Sequence, residues 1–385
     1  MAKSFLLKPD DITQRLRQRY NKRHKQWLSN TENWPLNLPL GLPTEEQAFK
    51  HLNEVQHWQK SWLNWSGDGE IQWVERHWPK LGKQKLPEKI LIHKPIHIAR
   101  WIGEEQAWNK VTQRHQILIT KWPHLTQILS RYFKVLKDYD DVDFDRLVAT
   151  LEWLENHPNS NLYIRQLPIE NIHTKWLLTR KSMIAEFIKK IRDHEGTDFY
   201  HITGLQQEPT LIRFRILDSH LRSCVGGLSD LSVALDDLKK LALPVNKIII
   251  VENLQTGLAF NDIPGSIVFM GLGYSIDLLN EISMFNNLPI YYWGDIDTDG
   301  FAILNRLRNY YPQTQSILMD ESTLLKHKDL WGTDEKPKIA TTLSMLTDEE
   351  KKLYDDLCNH RWKKNLRLEQ ERILWDYAWK KLYTI

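Results

Sequence analysis

Apolar residues in the first half of the chain recur at helical spacing. Ile12, Leu16, Tyr20 and Trp27 lie close to one face of a helix opened by Pro9-Asp10-Asp11, where proline fits the first turn and the acids complement the dipole. Thr44 with Gln47 forms a capping box ahead of Phe49, Leu52, Val55, Trp58 and Trp62. Two short β-like runs, 71–73 and 89–93, follow a glycine-rich turn and predict a small sheet among helices. Helical spacing returns at 104–116, 124–137 and 143–156. The run Asp138, Asp140, Asp141, Asp143, Asp145 reads as a loop and helix start, with a calcium site as the weaker alternative. Pro158-Asn159-Ser160-Asn161 marks a domain boundary.

Beyond it, 175–192 predicts an amphipathic helix, 211–217 alternates as a strand with Arg213 and Arg215 on one side, and 229–242 predicts another helix. From Lys247 the pattern changes. Ile248–Val251, Ser266–Met270, Pro289–Trp293 and Ser316–Met319 are short strand-like runs alternating with helical stretches at 276–284 and 301–310. That alternation predicts a parallel α/β sheet buried on both faces. The tail, 347–383, reads as charged helix. The whole is thus an α/β multi-domain chain: a mostly helical, Trp-rich arm over 1–160, a helical or winged-helix-like module over 161–244, a parallel α/β domain over 245–330 and a helical extension over 331–385.

Composition refines this picture. Seventeen Trp among 385 residues exclude a disordered chain, and two cysteines, Cys224 and Cys358, exclude a disulfide scaffold or cysteine-based zinc cluster. The apolar runs are too short to cross a bilayer, and the opening MAKSFLLKPDD lacks a signal-peptide core, so a cytoplasmic location is expected. The net charge of +3 is unevenly divided: residues 1–137 carry 23 Lys+Arg against 12 Asp+Glu, and 138–385 carry 29 against 37. Arg15, Arg17, Arg19, Lys22, Arg23 and Lys25 crowd the first helix, either as a solvated face or as phosphate contacts to DNA. Arg213 and Arg215 are further DNA-binding candidates. Ten Trp precede residue 125, where core packing is the default role and base stacking the alternative.

Two predicted strands end in carboxylates: Glu252 follows Val251, and Asp295, Asp297 and Asp299 follow Trp293-Gly294. Ligand sites in open α/β sheets form at the carboxyl ends of strands. Carboxylates converging there need a counter-charge, which a hard divalent cation such as Mg²⁺ supplies. An EF-hand would need Glu where Arg306 stands, and a helix before the loop. A phosphatase of the haloacid dehalogenase type would need Thr or Val where Asp299 stands. A solvated turn capping the 301 helix accounts for the Asp cluster but not for Glu252.

Strand–Glu followed 43 residues later by strand–DxD resembles the Toprim fold of topoisomerases, primases and small nucleases. The surrounding stretches 252–257, 264–274, 292–298, 318–320, 330–332 and 367–372, with 163–168 and 174–175 upstream, look like the nuclease subunits of Wadjet anti-plasmid systems. The resemblance departs at Asp299, where that family more often carries His. It implies a homodimeric, Mg²⁺-dependent (alternatively Mn²⁺-dependent) endonuclease acting on double-stranded plasmid DNA beside an SMC-type ATPase, a kleisin and a kleisin-associated subunit. Glu252, Asp295 and Asp297 would be its catalytic and metal-binding residues, Glu252 as ligand or general acid/base, with Asp299 as an accessory ligand. Kinship with type IIB topoisomerases raises tyrosine transesterification by Tyr163 or Tyr200 as an alternative. A non-catalytic DNA clamp is another.

Overall fold

The computed structural model describes residues 6–29, 32–340 and 342–385. Residues 1–5, on which the reading of the N-terminus partly rests, lie outside them. The chain divides into two compact units, Met1–Gln207 and Glu208–Ile385. Divided there, the charge asymmetry persists in milder form, with 31 Lys+Arg against 24 Asp+Glu in the first unit and 21 against 25 in the second.

In the first unit, helix α1 (Pro9–Leu28) buries Ile12, Leu16, Tyr20 and Trp27, as its spacing requires. The Lys8 amide donates to Asp11 at 2.9 Å and secures the first turn. Strands β1 (Leu36–Pro39), β2 (Glu70–Trp78) and β3 (Gly82–Ile92) form an antiparallel sheet in the order β1-β3-β2. The β2–β3 hairpin is longer than its apolar residues suggest, because its outer half is mostly polar and is held by backbone pairing together with a few contacts from Trp78 and Leu81 to the core. Trp27, Trp58, Trp62, Trp108 and Trp122 are buried in the core, while Trp34, Trp65, Trp73, Trp78 and Trp101 pack against it. All ten N-terminal tryptophans are therefore core material. Asp140 caps the helix Asp141–Asn156 by accepting from the Asp143 amide, so the Asp-rich run is the expected helix start.

The expected middle module over 161–244 is not a unit of its own. Ile164, Leu167, Trp176, Ile184 and Phe187 join the first unit's core, which carries the boundary past Pro158–Asn161 to 207. Its helix breaks at Thr179-Arg180 into Thr174–Leu178 and Lys181–Ile191.

The second unit is built on a six-stranded sheet of β4 (Leu211–Ile216), β5 (Asp230–Ala234), β6 (Lys247–Val251), β7 (Ser266–Met270), β8 (Ile290–Trp293) and β9 (Thr314–Ser316), in the order β5-β4-β7-β6-β8-β9. Strands β7, β6, β8 and β9 are parallel, while β4 pairs antiparallel with β7 and β5 antiparallel with β4. All five residues of β7 are buried, as a central strand covered on both faces demands. Residues 229–242 are not one helix. The β4 edge needs backbone partners, Leu231 and Val233 alternate, and only Leu235–Leu238 is helical. The stretch 276–284 forms two 3₁₀ turns, Gly273–Leu279 and Ser283–Phe285. Nor is the tail one helix: Asp348–Cys358 is followed by left-handed backbone at His360 (φ 56°) and Asn365 (φ 50°), then strand Leu366–Arg367, turn Gln370–Arg372 and helix Trp375–Leu382. Leu366, Leu368 and Ile373 bury this segment in the unit's core. Among the described residues, no helix is long and apolar enough to cross a membrane.

Candidate functional site

Parallel pairing of β6 with β8 sets Val251 opposite Trp293, and the Glu252 amide continues the ladder to the Trp293 carbonyl at 3.1 Å. Residues immediately after these strands therefore share one edge. The Asp295 amide donates to Glu252 Oε2 at 3.3 Å, and the Tyr292 hydroxyl lies 3.4 Å from the same oxygen. Gly294 makes this approach feasible: a Cβ there would fall 2.6 Å from Tyr292 Oη and 3.0 Å from Glu252 Oε2.

Asp297 is the N-cap of helix α2 (Thr298–Tyr310), its Oδ1 accepting from the Gly300 amide at 2.7 Å. The capping role weighed for the Asp cluster thus belongs to one oxygen of Asp297. Its other oxygen, Oδ2, faces Arg367 Nε at 3.2 Å. Asp295 Oδ2 accepts from the same Arg367 Nε at 3.0 Å and from Nη2, and its Oδ1 from the Gln370 amide at 2.7 Å. Asp295 is 7% exposed and Asp297 2%, so this charge is held nearly out of water.

Residues 251–300 contain seven carboxylates and no Lys or Arg. The counter-charge is brought by the C-terminal segment. An antiparallel bridge joins Leu368 to Ile296, with backbone bonds of 2.9 and 3.1 Å. The Gln370 side chain donates to the Trp293 carbonyl at 2.8 Å and accepts from the Asn253 amide at 3.0 Å. Arg367, Gln370 and Asn253 were not singled out in the sequence as site residues; the only signal was their place in the resembling stretches 367–372 and 252–257.

Compensation is incomplete. Burial, joined by the charges of Asp295 and Asp297, pushes Glu252 up to about 7. Burial likewise raises Asp297 to about 6; the Gly300 amide and Arg367 oppose that rise, while Asp295 and Asp299 add to it. Burial works against the Arg367 charge, but its bonds to Asp295 prevail and raise its pKa above the ordinary range. Such an edge can accept a further cation or hold a proton near neutrality.

The sequence-designated residues divide accordingly. Glu252, Asp295 and Asp297 come together. Asp299 instead accepts from the Tyr274 hydroxyl and, at 3.3 Å, from the Lys338 amide. Burial and then Asp299 raise the Tyr274 pKa, so Tyr274 is a further neighbour of the site. Carboxylate oxygens suit a hard divalent cation. Among the described residues, however, no group of three or more His, Cys, Asp or Glu is arranged to hold a metal ion. The donor set fits such an ion in kind, while the guanidinium of Arg367 stands between two of its members.

Arg215, expected at a DNA surface, is half-buried, and its Nη1 donates to the carbonyls of Gly257, Leu258 and Phe260 at 3.0, 2.7 and 3.1 Å. It closes the end of helix Leu254–Ala259, where the last carbonyls of a helix lack partners within the helix itself. Arg213 is paired across the sheet with Asp230 at 2.6 Å. On α1, Arg19 and Arg23 share Glu32, and Arg17 reaches the Ile102 carbonyl. Arg15, Lys22 and Lys25 are exposed and make no ion pair among the described residues.

Residues 204–382 match the family described as Wadjet protein JetD, C-terminal part. Residues 9–189 match one described as the N-terminal part of an uncharacterised protein conserved in bacteria. No curated protein matches the chain. With these matches spanning both units, the chain belongs to the Wadjet JetD family.

Proposed function

We propose that the protein is the nuclease subunit of a Wadjet defence complex, a metal-dependent endonuclease that hydrolyses phosphodiester bonds in invading circular plasmid DNA. The observation that carries this reading is the convergence of Glu252, Asp295 and Asp297 at the carboxyl ends of two adjacent parallel strands, with charge still uncompensated. These three would hold Mg²⁺ or Mn²⁺. Asp299, tied to Tyr274 and the Lys338 amide, would act at most as an accessory. When bound, the ion would supply an activated water and charge stabilisation for phosphoryl transfer.

The chain's own groups contribute the rest. Glu252, with its pKa near 7, can carry or release a proton at physiological pH. In hydrolysis the water oxygen bonds phosphorus and gives up one proton, the bond from phosphorus to one ester oxygen breaks, and that departing oxygen takes up a proton in turn. Arg15, Lys22 and Lys25 on α1 would hold the phosphate backbone without reading sequence. The reading includes a homodimer and assembly with the SMC-type ATPase, kleisin and kleisin-associated subunits.

The test is plasmid establishment in cells carrying the whole system. Glu252→Ala and Asp295→Asn should abolish protection while leaving the subunit folded and assembled. Protection retained by Glu252→Ala would replace catalysis with DNA clamping. Covalent protein–DNA product, lost on Tyr163→Phe or Tyr200→Phe, would replace hydrolysis with transesterification.

A further inference from the structure

Arg367 is the one cation in contact with the Asp295–Asp297 pair among the described residues, and it comes from 72 residues beyond Asp295. Its Nε reaches Asp295 Oδ2 at 3.0 Å and Asp297 Oδ2 at 3.2 Å, so one group engages both of the aspartates that would hold a divalent ion. The backbone that carries it is fixed. Leu368 is bonded to Ile296, and the Gln370 amide is bonded to Asp295 Oδ1. Movement of the guanidinium therefore means rotation of its side chain, which is 34% exposed.

Room for that rotation exists. A cavity of about 380 Å³ adjoins Arg367, lined also by Thr333, Asp334, Glu335, Lys336, Glu369 and Arg372. Three of those are carboxylates; Glu369 is already paired with Arg372 at 2.7 Å, which leaves Asp334 and Glu335 to receive a guanidinium that leaves Asp295.

We infer that Arg367 is a positioning residue with two stations: it holds the Asp295 and Asp297 carboxylates in register when no metal is bound, and yields that place to the metal by swinging towards Asp334 and Glu335. The inference rests on the metal-site reading given above. A divalent ion must then displace a bound cation, which weakens its apparent affinity and sets a threshold for loading the site. Removing the competitor strengthens metal binding, because a like charge a few ångströms from the ion is gone.

The experiment is calorimetric titration of Mn²⁺ into the full chain without DNA, with Asp295→Asn as the site control. Arg367→Gln should bind Mn²⁺ at least about tenfold more tightly than the parent. Its melting temperature should fall in chelator and recover with Mn²⁺. Arg367→Lys, which keeps the charge but loses the fork, should lie between the two and carries the comparison if Arg367→Gln does not fold. Equal or weaker binding by Arg367→Gln, with Asp295→Asn abolishing it, would overturn the competitor role and leave the metal site standing. Absence of Mn²⁺ binding from every variant would overturn both.

Discussion

Replacing Glu252 with Gln removes a charge the fold opposes while keeping an acceptor for the Asp295 amide and the Tyr292 hydroxyl. The pKa rises from 4.5 to about 7, chiefly through burial, then through Asp295 and Asp297. The folded state thus favours the protonated carboxyl. That preference is fully present below pH 4.5 and is lost as pH climbs through about 7. Above it, ionisation costs about 3 kcal/mol, trimmed to about 1–3 kcal/mol by the water that reaches this half-buried side chain. For a unit of this size, 1 kcal/mol moves the melting temperature by about 2–4 °C. In chelator, Glu252→Gln and the parent should melt together at pH 4.5, and the variant several degrees higher at pH 8. Added Mn²⁺ should raise the parent's transition and leave the variant's nearly unmoved. Differential scanning calorimetry reads the shift. A variant that melts at or below the parent at pH 8 would show that the carboxylate is net stabilising, and would refute the account of an uncompensated site.

Arg215→Met should destabilise the C-terminal unit by about 2–3 kcal/mol in denaturant titration, since three carbonyls lose their donor. Glu350→Ala strands the buried Arg308 guanidinium and should cost about 3–5 kcal/mol, most of it recovered by adding Arg308→Met. Burial opposes the Glu350 charge, but Arg308, Ser316 and the Thr347 amide hold its pKa below the ordinary value; the stability it lends is therefore present above pH 4.5 and lost as pH falls through the lower folded value. Substituting Arg15, Lys22 and Lys25 with Gln should weaken DNA binding alike for all sequences and flatten the logarithmic salt dependence by about 2–3, read by fluorescence anisotropy.

The parallel strands were legible because β6 to β8 are β-branched or aromatic runs buried on both faces. Glu252, Asp295 and Asp297 were legible because they stand directly after such runs. Strand β5 was not: Asp230–Ala234 has weak alternation, and its state is decided by the open edge of β4, a tertiary demand. The same limit hid Arg367, whose charged neighbourhood has helical composition until left-handed residues at 360 and 365 turn the chain back across the sheet edge. Arg213 and Arg215 alternate on one side of a strand as a DNA-facing pair would, yet one is engaged by Asp230 and the other by a helix end. Basicity in sequence reports charge, not availability.

Asp297 divides its carboxylate between a helix start and the acidic edge. Any ligand that draws on its outer oxygen also alters how firmly the inner one grips the Gly300 amide. The first turn of α2 is therefore a reporter for the state of the site: hydrogen–deuterium exchange at residues 299–301 would slow or quicken as the edge fills, without a chromophore, a substrate or turnover.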